Sequence, residues 1–213
     1  MKITKFVHSC LLVEMPSPVN RTVVFDPGVF STLDPGKLEY LDDIFITHGH
    51  ADHMAPELIR KLQAKFPKVR ITAPADARQQ LEQAGVANVS SEAPDGVRFF
   101  SAPHEPIRPY FPSDPPEEFG YHYLDMLSDP GDSHSFHETM PILALPVTAP
   151  WGDVVEATKV ALELKPKFVL PIHDWHWRDE ARQGLYETLE ERFEDAGITF
   201  LKLVDGEPVV IDL

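Results

Sequence analysis

The sequence predicts an α/β domain, and three observations carry that expectation. Strand-like and helix-like patterns alternate from residue 43 onward, the first quarter reads almost entirely as strand, and 43% of the 213 residues are hydrophobic. That is enough apolar material for one large layered core. The strand-rich start argues against a purely parallel, doubly wound sheet. In order, Ile3–Val7 alternates, Cys10–Met15 is an apolar run, and Thr22–Phe25 leads into the turn signal Asp26-Pro27-Gly28. Asp43–Thr47 is a further short strand pattern that stops at His48. The period then changes, and Ala55–Phe66 places Leu58, Ile59, Leu62 and Phe66 on one helical face. A strand at Val69–Ala73 precedes a helix at Ala75–Ala84, which Gly85 ends. Val97–Ala102 and Phe119–Leu127 read as strands, and Ile142–Val147 as a buried one. Asp153 is placed to cap a helix running to Leu164, Lys167–Ile172 is a strand, and a long helix over Arg178–Ala196 stops at Gly197 before two short closing strands. No repeat and no linker divides the chain, so residues 1–213 are expected to form one domain.

Charge narrows the partners. Lys and Arg number 19 against 34 Asp and Glu, a net charge of −15. Such a surface repels phosphate backbones and anionic lipid, so neither nucleic acid nor a membrane is the expected partner. The densest basic group, Lys61, Lys65, Lys68 and Arg70, has no interleaved aromatic residues to stack bases. The one cysteine, Cys10, excludes an intrachain disulfide and reads as buried within Cys10-Leu11-Leu12-Val13. The N-terminus lacks a signal-peptide pattern, and no apolar run approaches the ~20 residues a bilayer requires. A cytoplasmic protein is expected, and no feature specifies an oligomer.

The segment Pro103–Pro116 holds prolines at 103, 106, 109, 112, 115 and 116. A spacing of three is the turn of a polyproline II helix. It reads as a stiff surface loop, as a wall beside a site because it leaves from His104, or as a ligand for a proline-binding module.

The chemistry gathers in Thr47-His48-Gly49-His50-Ala51-Asp52-His53. Residues two apart in an extended segment share a side, so His48 and His50 can hold one ion. Asp52 and His53 follow where the chain turns, within reach of a second. His104, Asp132 and His173 stand after later strand patterns. Seven such ligands exceed the four of a single zinc and suit two ions about 3.5–4 Å apart, with one carboxylate bridging. Imidazole with carboxylate favours zinc, manganese or iron over calcium or magnesium. His122, His134, His137 and His176 are also read as surface histidines.

These motifs resemble those of the metallo-β-lactamase superfamily over most of the chain. Val7-His8-Ser9-Cys10 and Leu145-Pro146-Val147 with Ala149-Pro150-Trp151 resemble the branch that contains ascorbate-6-phosphate lactonase. Phe25-Asp26-Pro27-Gly28 resembles the family's second-strand aspartate, and Pro103-His104, Gly131-Asp132-Ser133 and Pro171-Ile172-His173 resemble its third, fourth and fifth motifs. The resemblance implies a four-layer αβ/βα sandwich. It assigns His48, His50 and His104 to one ion, Asp52, His53 and His173 to the other, and shares Asp132. It puts His8 near the metals, touching substrate, where the plainer reading is a strand histidine bonded to backbone. Asp26 becomes a support for the metal loop, or a turn aspartate before Pro27. His50 stands where flavodiiron-type members carry glutamate, which disfavours redox chemistry. His134 is an additional histidine beside the fourth motif.

The implied reaction is hydrolysis. Metal-bound water has its pKa lowered toward ~7, and the hydroxide attacks a carbonyl or phosphoryl centre. Asp52, His8 and His134, in that order, are candidates to protonate the leaving group. The expected substrate is an anionic small molecule: an ester, a lactone or a phosphodiester. Arg108, Tyr110 and Phe111 are expected at the pocket mouth, with Trp151 on another wall. A nuclease is the rival enzyme reading, weakened by the charge and by the absence of the insert that resembles the RNA-gripping arm of transfer-RNA-processing relatives. A metal-bearing binding or sensor protein is the alternative without turnover.

Overall fold

The computed structural model describes residues 1–212. Among them are thirteen strands and four α-helices in two sheets, a mixed α/β fold as the sequence predicts. The chain forms two compact units, Met1–Ala93 with the tail from Leu203, and Pro94–Lys202.

The first unit contains β1 (Lys2–Lys5), β2 (Leu11–Met15), β3 (Arg21–Phe25), β4 (Asp43–Phe45), α1 (Pro56–Lys65), β5 (Arg70–Thr72), α2 (Ala75–Gln83), β6 (Val89–Ser90) and β13 (Pro208–Val210). Its sheet runs β13-β1-β2-β3-β4-β5-β6. Pairing is antiparallel from β13 to β3 and parallel from β3 to β6. The parallel pair β3–β4 brings the carboxyl ends of both strands to one edge, where Asp26 and Thr47 leave the sheet. Register carries Phe25 opposite Phe45, and the Asp26 amide donates to the Phe45 carbonyl at 2.9 Å. Pro56 opens α1, where a missing N–H costs nothing, and the helix buries Ile59 and Leu62. These side chains join Val24, Ile44, Ile46, Ile71, Ala77 and Leu81 in the unit's core.

The second unit contains β7 (Val97–Phe100), β8 (Gly120–Tyr123), β9 (Leu127–Asp129), β10 (Ile142–Pro146), α3 (Val154–Leu164), β11 (Phe168–Ile172), α4 (Asp179–Glu194) and β12 (Thr199–Phe200), in the sheet order β12-β11-β10-β9-β8-β7. The strands β9 to β12 are parallel, so Asp132, Thr148 and His173 all lie beyond carboxyl ends, the edge at which open α/β sheets place their sites. Asp153 caps α3, its Oδ1 accepting from the amides of Val155 and Glu156 at 2.8 and 3.1 Å. The buried faces of α3 and α4 supply Ala157, Ala161, Tyr186, Leu189 and Phe193 to a core with Leu143, Leu145 and Val169.

Two segments depart from expectation. Phe119–Leu127 is not one strand but the hairpin β8–β9, turned at Leu124 and Asp125, both at φ 51. The Met126 amide closes that turn on the Tyr123 carbonyl at 3.0 Å. A leucine in the left-handed region costs roughly 1–2 kcal/mol and gives no turn signal, so the sequence reads through it as strand. The proline-rich segment is not a continuous polyproline helix. The Phe111 amide donates to the Ile107 carbonyl at 2.9 Å, and a polyproline helix has no internal bond of that kind.

Candidate metal centre

In the first unit the loop after β4 folds around one buried carboxylate. Asp26, wholly buried, accepts from the Thr47 amide at 2.8 Å, the Thr47 hydroxyl at 2.7 Å and His53 Nδ1 at 2.7 Å. Asp26 itself sits at φ 44, a region that aspartate tolerates better than most residues. Gly28 completes the cradle, because a Cβ there would lie 1.7 Å from the Asp52 carbonyl oxygen. The main chain of that loop therefore occupies the space a side chain at 28 would take. His48 Nε2 and His50 Nδ1 face each other at 3.1 Å. Ligand atoms of His8, Asp52 and His53 lie within 4.8 Å of one another. His8 is no strand histidine. It occupies the β1–β2 turn at φ 60, buried, with Nε2 3.3 Å from Asp52 Oδ2 and its ring edge-on to Phe30 and His53.

In the second unit three strand ends bring His104, Asp132 and His173 together. His173 Nε2 lies 3.2 Å from Asp132 Oδ1, and His104 Nε2 lies 3.6 Å from Asp132 Oδ2. The main chain of Asp132 is held on both sides. Its amide donates to Glu118 Oε1 at 3.1 Å, and its carbonyl accepts from the Glu105 amide at 3.0 Å. Glu105 Oε1 further accepts from the His134 amide and the Ser135 hydroxyl at 2.9 and 2.8 Å. Asp174, beside His173, is buried and accepts from the Tyr186 hydroxyl of α4.

A common pattern tests whether these residues suit a cation. His104 Nδ1 meets the Glu105 carbonyl at 2.7 Å and His173 Nδ1 meets the Thr148 carbonyl at 2.6 Å. A carbonyl only accepts, so both Nδ1 atoms carry the proton. His53 Nδ1 donates likewise to Asp26. The Thr47 hydroxyl spends its proton on Asp26 and so accepts from His48 Nδ1 at 3.1 Å. In the neutral form of each of these four imidazoles Nε2 is then the lone-pair atom, the arrangement typical of histidine ligands to metal. In His104 and His173 Nε2 faces the Asp132 carboxylate, at 3.6 and 3.2 Å, an approach that a divalent cation held by both would turn into coordination. The donor set fits metal.

Other candidates are placed differently. His134 spends Nε2 on the Pro146 carbonyl at 2.8 Å, which holds the proton that a leaving group would need. His122 lies buried in β8 between the Ser128 hydroxyl at 2.8 Å and Glu138 at 3.2 Å, stacked on Phe100. Burial pushes its pKa down. Arg108 reaches Asp114 at 3.2 Å, and Tyr110 and Phe111 are exposed. Trp151 donates from Nε1 to Asp132 Oδ2 at 3.0 Å, a contact the sequence does not announce. The Gly28 cradle and the Thr148 and Glu105 contacts are also missed by pattern reading, because each is made by or to backbone and carries no residue signature.

A model of the metallo-beta-lactamase superfamily matches residues 3–134. Protein Rv0786c of Mycobacterium tuberculosis is 32% identical over 201 residues, 90% of this chain and 92% of that protein. Igni18, a novel metallo hydrolase from the hyperthermophilic archaeon Ignicoccus hospitalis, matches with a TM-score of 0.70 at 18% identity, over 100% of this chain and 98% of that one. The isothiocyanate hydrolase from Delia radicum gut bacteria matches with a TM-score of 0.67 at 15% identity, over 99% of both chains. At such identity the structural likenesses establish the fold. Among the described residues, no helix is long and apolar enough to cross a membrane.

Proposed function

Because this chain belongs to the metallo-β-lactamase superfamily, we propose that it is a metal-dependent hydrolase of a small ester, lactone or phosphodiester, working in the cytoplasm as one functional domain. The observation that carries the proposal is the shared orientation of His48, His53, His104 and His173, each with Nδ1 committed to a protein acceptor and Nε2 carrying the lone pair an ion would take. The ligand set is the one the motifs imply. His48, His50 and His104 serve one ion, Asp52, His53 and His173 the other, and Asp132 both. Zinc or manganese suits these donors, and iron is compatible with them.

A divalent pair supplies activated water at neutral pH and a Lewis-acidic contact for the substrate oxygen. The chain supplies the rest. Asp26 holds Thr47 and His53 and so fixes the shape of the loop that carries four ligands. Asp52 and His8 share a contact at 3.3 Å, which makes them the first pair to consider for moving a proton to the leaving group. His134 ranks below them, because its Nε2 proton is already engaged by Pro146. The ascorbate-6-phosphate lactonase-like motifs at Val7–Cys10 and Ala149–Trp151 support an anionic small-molecule substrate, and the charge of −15 weighs against nucleic acid. Arg108 is the cation offered to that substrate from the proline-rich segment, in exchange for its pairing with Asp114.

The test is a panel of lactones, phosphodiesters and thioesters, together with RNA and single-stranded DNA, given to metal-loaded protein with and without chelator. Turnover of a small ester, lactone or phosphodiester that chelation abolishes supports the reading. Metal-dependent strand cleavage with no small-molecule turnover would replace it with a nuclease. Tight metal binding without any turnover would indicate a sensor.

A further inference from the structure

We propose that Trp151 is a positioning residue that sets the orientation of the Asp132 carboxylate, and that the turn Thr148–Gly152 exists to hold it there. The inference rests on the metal-centre reading above and deepens it.

Asp132 has a pinned main chain, through Glu118 Oε1 on its amide and the Glu105 amide on its carbonyl. The side chain still has to be aimed, and a carboxylate meant to serve two ions must present each oxygen in a fixed direction. The Trp151 indole N–H donates to Oδ2 at 3.0 Å, while Oδ1 lies 3.2 Å from His173 Nε2. One oxygen is thereby tied down and the other directed. Oδ2 also lies 3.6 Å from His104 Nε2, and a hydrogen bond to a ligand carboxylate both aims it and tempers its basicity.

The indole is itself well held. Its ring lies edge-on to His104, His134 and His173, at centroid distances of 6.0, 5.4 and 5.4 Å. Ile107, Tyr110, Phe111 and Pro150 line a small crevice with it. Behind the ring, Ala149 and Gly152 exchange backbone bonds at 3.1 and 3.3 Å. A Cβ on Gly152 would come 3.0 Å from His134 Cε1, so the tip packs closely on that histidine. The same turn offers the Thr148 carbonyl to His173 Nδ1 at 2.6 Å. One short turn therefore orients two proposed ligands, Asp132 through a side chain and His173 through a carbonyl. This also gives His134 a role as the post on which the turn is built.

Trp151→Phe keeps the ring and removes the donor. Zinc and cobalt titrations of the whole protein, read by competition with a chromophoric chelator, should show affinity weakened about 10- to 100-fold. The melting temperature of the metal-free protein should stay close to wild type, as a purely structural role would not allow. Wild-type zinc affinity in Trp151→Phe would overturn the proposal. A second measurement needs no variant to fold well. The chain has three tryptophans, and of their three indole N–H signals in a nitrogen–proton spectrum of the wild type, that of Trp151 should exchange slowly with solvent and shift most on addition of zinc. A Trp151 signal that exchanges freely and ignores zinc would also overturn it. Wild-type protein that binds neither metal would sink the metal-centre reading itself, and this shows before any variant is compared.

Discussion

The two units place their candidate ligands in opposite ways. The first concentrates them, with His48, His50, Asp52 and His53 within one loop, and three hydrogen bonds to that loop converging on a single buried carboxylate, Asp26. The second disperses them, with His104, Asp132 and His173 arriving from three strand ends and held by several contacts, to the Glu105 and Thr148 carbonyls, the Glu118 carboxylate and the Trp151 indole. A concentrated design has a single point of failure. A dispersed one spreads the loss over several contacts.

Asp26→Ala should therefore be the most damaging change outside the ligands. It leaves the Thr47 amide, the Thr47 hydroxyl and His53 Nδ1 without their acceptor in a buried place, a loss of about 3 kcal/mol in urea unfolding. Cys10 supplies a probe of the same unit. It is buried in that core, and burial pushes its thiol up to about 12, so native protein should resist alkylation and Asp26→Ala should label faster. Wild-type stability and labelling in that variant would break the comparison. Gly28→Ala comes next, at about 2 kcal/mol, because its Cβ would meet the Asp52 carbonyl at 1.7 Å and the metal loop must shift. Zinc binding should weaken in step.

The matching change in the second unit is Glu105→Ala. It removes the acceptor for the His134 amide and the Ser135 hydroxyl at a partly exposed position, so about 1 kcal/mol is expected. A loss as large as that of Asp26→Ala would show that the second unit is also built on one post. Arg108→Ala should change stability least, by less than about 0.5 kcal/mol, since its pairing with Asp114 is exposed. Its metal content should be unchanged and its KM for an anionic substrate raised. An unchanged KM on the true substrate would remove Arg108 from the site.

The same contrast explains how much could be read from the chain. His48-x-His50-x-Asp52-His53 is legible because its candidate ligands are neighbours in sequence and the loop directly follows a strand pattern. His104 and His173 are legible more indirectly, as histidines that follow strands. The contacts that orient them are not, because the Glu105 and Thr148 carbonyls act as backbone and carry no residue signature. Asp26 is ambiguous for a related reason, since an aspartate before Pro27 reads equally well as a turn. In the fold, the helix capped by Asp153 is read nearly to the residue, whereas the hairpin at Leu124-Asp125 is hidden because Leu124 and its neighbours Tyr123 and Met126 give no turn signal. The short β6 goes unread because two residues show no period.

The central claim is that this chain holds a two-ion centre sharing Asp132. The most direct measurement is metal content and affinity of the purified protein saturated with zinc or manganese, for wild type, Asp132→Ala and His173→Ala. Such a centre predicts close to two ions per chain in the wild type, reduced occupancy of both in Asp132→Ala, and loss mainly of the second in His173→Ala. A wild-type stoichiometry that stays at one under saturating metal, or an Asp132→Ala variant that keeps both ions at wild-type affinity, would contradict it.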